Sequence, residues 1–167
     1  MWAGRFVTAV RDGQWEFVRR SRGIRAVVIL AETDAGEILL VEQPRVPIGG
    51  PCLELPAGLI GDDAGGGEDN VEAAAVRELV EETGYRPGAV ENLGEYYSSP
   101  GMLGESFTLV RATEIERVGA GGGVDGEEII VHRVPRAEIA RFIASRRAAG
   151  IAIDAKLLLL LGGTLLA

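Results

Sequence analysis

What this chain has little of narrows its chemistry first. It carries one cysteine, Cys52, one histidine, His132, and one lysine, Lys156. A lone cysteine excludes an intramolecular disulfide framework and a thiolate metal site, so Cys52 is expected to be inert. A single histidine inside a strand-like run argues against a histidine-based triad and reads as structural. No apolar run can span a bilayer: Leu157 to Leu161 and Leu165-Leu166 are too short. The N-terminus shows no signal-peptide apolar core, and the expected compartment is the cytoplasm. Positive charge is in deficit, with a formal net charge of −8. That balance argues against nonspecific binding to nucleic acid or to an anionic membrane. It leaves a nucleotide possible, because an anionic substrate can enter through bound metal and a few local arginines.

What is present is ordinary for a soluble globular protein: 167 residues, 47% apolar and 25% charged. That length makes one domain, or a domain with a small appendage, and buries a good core. Residues 1–22 alternate weakly around Asp12-Gly13 and read as a β-hairpin. A two-stranded hairpin is marginal alone in water, so Trp15 needs a partner surface, either the main body or a second chain. From Arg25 the pattern strengthens. Ala26 to Ala31 reads as a buried strand, Asp34-Ala35-Gly36 as a turn, and Glu37 to Glu42 as the returning strand. Further strands are expected over Ala89 to Tyr97, Glu105 to Thr113 and Glu127 to Val134. Helices are expected over Pro135 to Ala149 and Ile153 to Leu161. Strands flanking one central helix, with two helices late, predict a mixed α/β (α+β) sandwich.

The central helix runs from Asn70 to Thr83. Asn70 is a natural N-cap, Glu72 lies in the first turn, three alanines follow, and Gly84 suits a left-handed stop. Val71, Ala75, Leu79 and Val80 form its apolar stripe. Glu78, Glu81 and Glu82 gather on one flank, where like charges cost a few tenths of a kcal/mol per pair. The plain alternative is a solvated acidic face. A cluster that costs stability points to a compensating cation, and oxygen donors with no His or Cys nearby suit Mg²⁺ or Mn²⁺.

The order Arg77-Glu78-Leu79-Val80-Glu81-Glu82-Thr83-Gly84-Tyr85, with Leu55-Pro56-Ala57-Gly58-Leu59-Ile60 upstream, resembles the Nudix box, a loop-helix-loop that binds divalent metal and diphosphate. The second half of the box matches fully. In the first half the upstream acidic position falls on Asp69, with Glu68 one residue out of register, and the glycine position falls on Asp63. Gly58 is the better equivalent, and the glycine-rich loop at 61–67 is enlarged. Four further places are similar to ADP-ribose and nucleoside-diphosphate-sugar pyrophosphatases: Val41 to Gly58, Ser99-Pro100-Gly101, Gly126 to Ile129, and Ile153 to Lys156. The resemblance implies a Nudix-type α/β/α sandwich over residues 23–167. It also implies that the N-terminal hairpin of 1–22 is a possible swapped element of a homodimer.

A diphosphate repels a nucleophilic water, so cations must neutralise it and position the water. Glu78 and Glu82 are the first candidate metal ligands, with Glu81 a third or a ligand to a second ion. A backbone carbonyl from the Pro56-Ala57-Gly58 turn would complete the shell, and the resemblance assigns that oxygen to Ala57. Arg77 either orients the carboxylates or forms a plain salt bridge. The resemblance places the base, or a further metal ligand, on a later loop. The matching position is Glu127, with Glu128 and Asp125 next in line, and an ordinary acidic turn is the alternative. The glycine run Gly119 to Gly123 is expected to let that loop close over substrate. Arg20 and Arg45 are candidates for phosphates or a terminal ribose. Trp15 offers a face for adenine or a place in the core. Pro100, Gly101 and Met102 lie where the family carries a substrate loop, and Glu54 could support the site from behind.

The expected activity is metal-dependent hydrolysis of ADP-ribose, or a related nucleoside diphosphate sugar, to a nucleoside monophosphate and a sugar phosphate. GDP-mannose, other such sugars and dinucleotides are rival substrates. A Nudix-fold sensor that binds without cleaving and a structural dimer module are the non-enzymatic rivals.

Overall fold

The computed structural model describes residues 1–20, 25–61, 70–124 and 126–165. Strand β4 (Arg25–Ala31) shows how the sequence builds the body. Its side chains alternate across a sheet, yet both sets are apolar and buried. Val27, Ile29 and Ala31 face one core, and Val28 with Leu30 faces a second. A strand buried on both faces must be covered by other elements on each side, which makes a sandwich.

Three strands flank β4: β7 (Ala57–Ile60), β10 (Ser106–Thr113) and β9 (Ala89–Tyr97), in the order β7-β4-β10-β9. β4 and β10 run parallel, and the other two pairings are antiparallel. A second sheet joins β12 (Ile130–Pro135), β5 (Glu37–Arg45), β6 (Gly50–Glu54) and β13 (Ala152–Ile153) in that order. β8 (Tyr85–Arg86) pairs with β11 (Glu116–Arg117).

Helix α1 (Val71–Thr83) covers the first core. Asn70 caps it by accepting a hydrogen bond from the Ala73 N–H at 2.8 Å, and Gly84 ends it at φ 76°. Its buried face is Ala74, Ala75, Leu79, Glu82 and Thr83. Of the expected stripe, Ala75 and Leu79 are buried and Val71 packs against the same core, while Val80 is half-buried and the Glu82 carboxyl points inward instead. Burying a side chain such as Leu79, at 0% exposure, contributes about 1.5–3 kcal/mol. Helices α2 (Ile139–Ala148) and α3 (Leu158–Leu165) cover the second core through Ile139, Ile143 and Leu161, with Leu157 of the turn before α3.

The expected mixed α/β sandwich is the observed one, with local differences. Ala57 and Gly58 lie in strand β7 rather than in a turn, because their backbones pair with Val28 and Val27. Both late helices open with a 3-10 turn, at Arg136–Glu138 and Ala155–Leu157, so α-helix begins later than the pattern implies. The N-terminal piece is a three-stranded sheet: β1 (Trp2–Ala3) joins the hairpin of β2 (Val7–Asp12) and β3 (Trp15–Arg20). It docks on its own chain. Val18 N–H donates to Met102 O at 2.9 Å, and Gly104 N–H donates to Val18 O at 2.9 Å. Among the described residues no helix is long and apolar enough to cross a membrane.

Candidate active site

The carboxylate flank of α1 forms one wall of a cleft of about 770 Å³. β7 lies beside it, and their close approach explains a glycine. A Cβ on Gly58 would sit 1.8 Å from Cδ of Glu78, so any other residue there would displace that carboxylate. Arg77 joins the two elements. It donates to Leu59 O at 3.0 Å and to Glu78 Oε1 at 2.8 Å, with Glu81 Oε2 at 3.6 Å.

Glu82 is the deepest of the three, at 5% exposure. Its Oε2 accepts the Ala57 N–H at 3.1 Å. Burial pushes its carboxyl up to about 8, with the charges of Glu78 and Glu127 adding to the rise and the Ala57 N–H opposing it. Glu78 is also raised, first by burial and then by Glu81, against the pull of Arg77. Among the described residues Glu82 has no ion-pair partner, whereas Glu78 is paired with Arg77.

The donor set therefore suits a hard divalent cation: every candidate ligand atom is an oxygen, and Glu82 would gain most from one. As the side chains stand, among the described residues no three His, Cys, Asp or Glu groups converge on one point. Glu78 and Glu81 turn toward Arg77 and Glu82 toward Ala57 N–H, so an ion would draw them from these partners.

The rest of the lining holds three cations, each paired with a carboxylate. Arg45 forms a two-pronged ion pair with buried Glu54, with both contacts at 2.7 Å, and this bond holds its pKa above the ordinary value. Arg20 pairs with Glu105 at 2.6 Å. Lys156 pairs with Asp154 at 2.5 Å and lies 5.9 Å from the Phe107 ring centroid. Cys52 also faces the cleft, but burial and then Glu54 push its thiol up to about 12, which leaves it unreactive.

The cleft thus brings together Ala57, Glu78, Glu81, Glu82, Arg77, Glu127, Arg20, Arg45 and Glu54, all expected at the site. Glu127 reaches it from the loop before β12, while Glu128 is exposed and does not line it. Trp15, Pro100, Gly101 and Met102 also lie off the cleft wall of their own chain, with Trp15 66% exposed at the hairpin tip. Asp63, Glu68, Asp69 and Asp125 lie outside the described residues. Sequence reasoning missed Gln43, Phe107, Asp154 and Lys156 as lining residues. The signals in the sequence were the uniqueness of Lys156 and the family resemblance of the stretches Val41 to Gly58 and Ile153 to Lys156. His132 is where a structural histidine belongs, away from the cleft. Its Nε2 is 3.1 Å from buried Glu42, which Arg146 also holds.

A NUDIX domain model matches residues 22–153. The chain belongs to the Nudix family. It is 35% identical over 148 residues to a protein of Cronobacter sakazakii named GDP-mannose pyrophosphatase, covering 84% of this chain and 72% of that one. It is 41% identical over 109 residues to a Saccharomyces cerevisiae protein named ADP-ribose pyrophosphatase, covering 60% of this chain and 45% of that one. The fold is shared with a crystal structure of an ADP compounds hydrolase at a TM-score of 0.66 and 21% identity, covering 95% of this chain and 91% of that one.

Proposed function

We propose that this Nudix protein hydrolyses the diphosphate bond of a nucleoside diphosphate sugar, ADP-ribose or GDP-mannose, to a nucleoside monophosphate and a sugar phosphate. The observation that carries the proposal is the cleft itself. Glu82 is buried there beside Glu78 and Glu127, and Arg20, Arg45 and Lys156 line the same cleft. The relatives' names supply the substrate class.

Mg²⁺, or Mn²⁺ in its place, would be held by Glu78, Glu82 and Glu81 with the Ala57 backbone. When bound it would neutralise the diphosphate and lower the pKa of water. Arg77 keeps the Glu78 and Glu81 carboxylates together on the β7 side. Glu127 takes the proton from the attacking water. The water oxygen bonds to one phosphorus, the bond from that phosphorus to the bridging oxygen breaks, and the bridging oxygen leaves with the other phosphate. Arg45, Arg20 and Lys156 would partner the charge of the leaving phosphate, each loosening from its acidic partner to serve.

The N-terminal segment 1–22 is read as an element exchanged between the subunits of a homodimer. Trp2, Phe6 and Trp15 on it are exposed at 62%, 57% and 66%. A solution mass of one chain at micromolar concentration would sink that part. The working compartment is taken as the cytoplasm, and the net charge of −8 supports a nucleotide partner over nucleic acid or membrane.

The test is product analysis after incubation with ADP-ribose, GDP-mannose, UDP-glucose and a diadenosine polyphosphate, each with Mg²⁺ or Mn²⁺. A nucleoside monophosphate and a sugar phosphate from one of the sugars supports the proposal. Turnover of none makes the sensor reading the better one. The choice between ADP-ribose and GDP-mannose falls to the same experiment, since the longer match names one and the more identical match the other.

A further inference from the structure

We infer that Gly119 to Gly123 is a rigid clamp rather than a hinge, and that it sets the position of Glu127 relative to Glu82. The inference rests on the proposed role of Glu127.

A helix ends with carbonyls that lack partners in the helix. In α1 the Val80 carbonyl is taken by Gly84 N–H at 2.9 Å. The next two are taken by the glycine run: Gly123 N–H donates to Glu81 O at 3.0 Å and Gly122 N–H to Glu82 O at 2.8 Å. Val118 and Gly119 N–H groups both donate to Gly84 O, at 2.8 and 3.0 Å. The run therefore grips the backbone of the residues whose side chains form the acidic wall.

The grip works only at glycine distances. A Cβ on Gly121 would lie 2.3 Å from the Thr83 carbonyl carbon, and one on Gly84 would lie 2.5 Å from Gly119 O. Both residues also hold positive φ, 69° and 76°. At the other end of the run, a Cβ on Gly123 would lie 2.6 Å from Cβ and Oε2 of Glu127. That carboxylate accepts Val124 N–H at 3.2 Å, while Glu127 N–H donates to Val124 O at 3.1 Å. Ile129, buried just beyond, anchors the return by donating to Gly122 O at 3.3 Å. A segment that opens and closes needs backbone groups free for water, and here they are engaged on both sides.

Two measurements on the full chain test this. Hydrogen exchange without substrate is expected to show the Gly122 and Gly123 amides exchanging at least about 100-fold slower than in an unstructured chain. Exchange at the unstructured rate overturns the clamp, whatever the variants do. The second measurement is kcat and KM for Gly123→Ala beside Gly150→Ala, whose φ is also positive, at 83°, but whose Cβ would meet nothing within 4 Å. Gly123→Ala is expected to lower kcat about 100-fold with KM within about threefold, the usual result of misplacing a reacting group by an ångström. Gly150→Ala, which carries backbone strain alone, is expected to keep its kcat. Equal losses in the two, or full kcat in Gly123→Ala, overturn the inference. Glu127→Gln tests the foundation separately. Unchanged kcat there overturns the role of Glu127, whereas lost kcat there with full kcat in Gly123→Ala overturns the clamp alone.

Discussion

Replacing Glu82 by glutamine should make the metal-free protein more stable at alkaline pH while removing its activity. The carboxyl rises from an ordinary 4.5 to about 8 in the folded chain, so the folded state holds this proton more tightly than the unfolded state does. Its contribution to stability is complete below about pH 4.5, declines as pH rises and is gone above about pH 8. At 1.36 kcal/mol per unit the full shift corresponds to about 5 kcal/mol, and relaxation of a cleft open to water should leave roughly 2–4. For a domain of this size, that is a Tm difference of about 5–15 °C. Glutamine keeps the acceptor for Ala57 N–H and never ionises, so it mimics the protonated acid. The assay is thermal unfolding of wild type and variant in a chelator at pH 5 and pH 8.5. The two should melt together at pH 5, and the variant should melt higher at pH 8.5. Excess Mg²⁺ should raise wild type more than the variant and close the gap, while turnover of the variant falls by about 10²–10³-fold. Parallel pH curves for the two proteins would refute the claim that Glu82 lacks counter-charge when it ionises.

Four other substitutions probe the fold beyond that group. Gly58→Ala drives Glu78 from its place and should lower kcat about 100-fold, with a smaller change in Tm because the clash is with a side chain. Arg45→Ala leaves Glu54 buried without its partner and should cost about 2–3 kcal/mol in urea unfolding; Arg136→Ala, at an exposed pair with Glu32, should cost under about 1 kcal/mol. Asn70→Ala removes the cap of α1 and should cost about 1 kcal/mol, with turnover per folded molecule unchanged.

The parts of this protein that were legible in its sequence are those set by local spacing. A cap, three alanines, carboxylates three and four apart and a stop glycine specify α1 and its acidic flank without reference to any other segment. The alternation in β4 and β5 is equally local. β7 was missed because Ala57-Gly58 looks like a turn until Val27 and Val28 supply partners for it. The far end of the cleft was missed for the same reason. Phe107 reaches it because β10 lies parallel to β4, and Asp154 and Lys156 because β13 pairs with β6. No spacing along the chain encodes those pairings. The glycine run shows the limit most sharply. Composition made Gly119 to Gly123 a hinge, since glycine frees the backbone of an unfolded chain. Against the end of α1 the missing side chains also let two backbones approach within hydrogen-bonding distance, which composition does not show. Charge follows the same logic. Arg45 and Arg20 read in the sequence as candidates for phosphates or a terminal ribose, and in the fold Glu54 and Glu105 pair with them. Residue type states which charge is present, and only the pairing states whether a phosphate can reach it. A useful cation is therefore one whose partner can be displaced, and exposure of the arginine side decides this. Arg45, with a side chain 43% exposed, can turn outward toward a ligand even while Glu54, at 6%, stays buried.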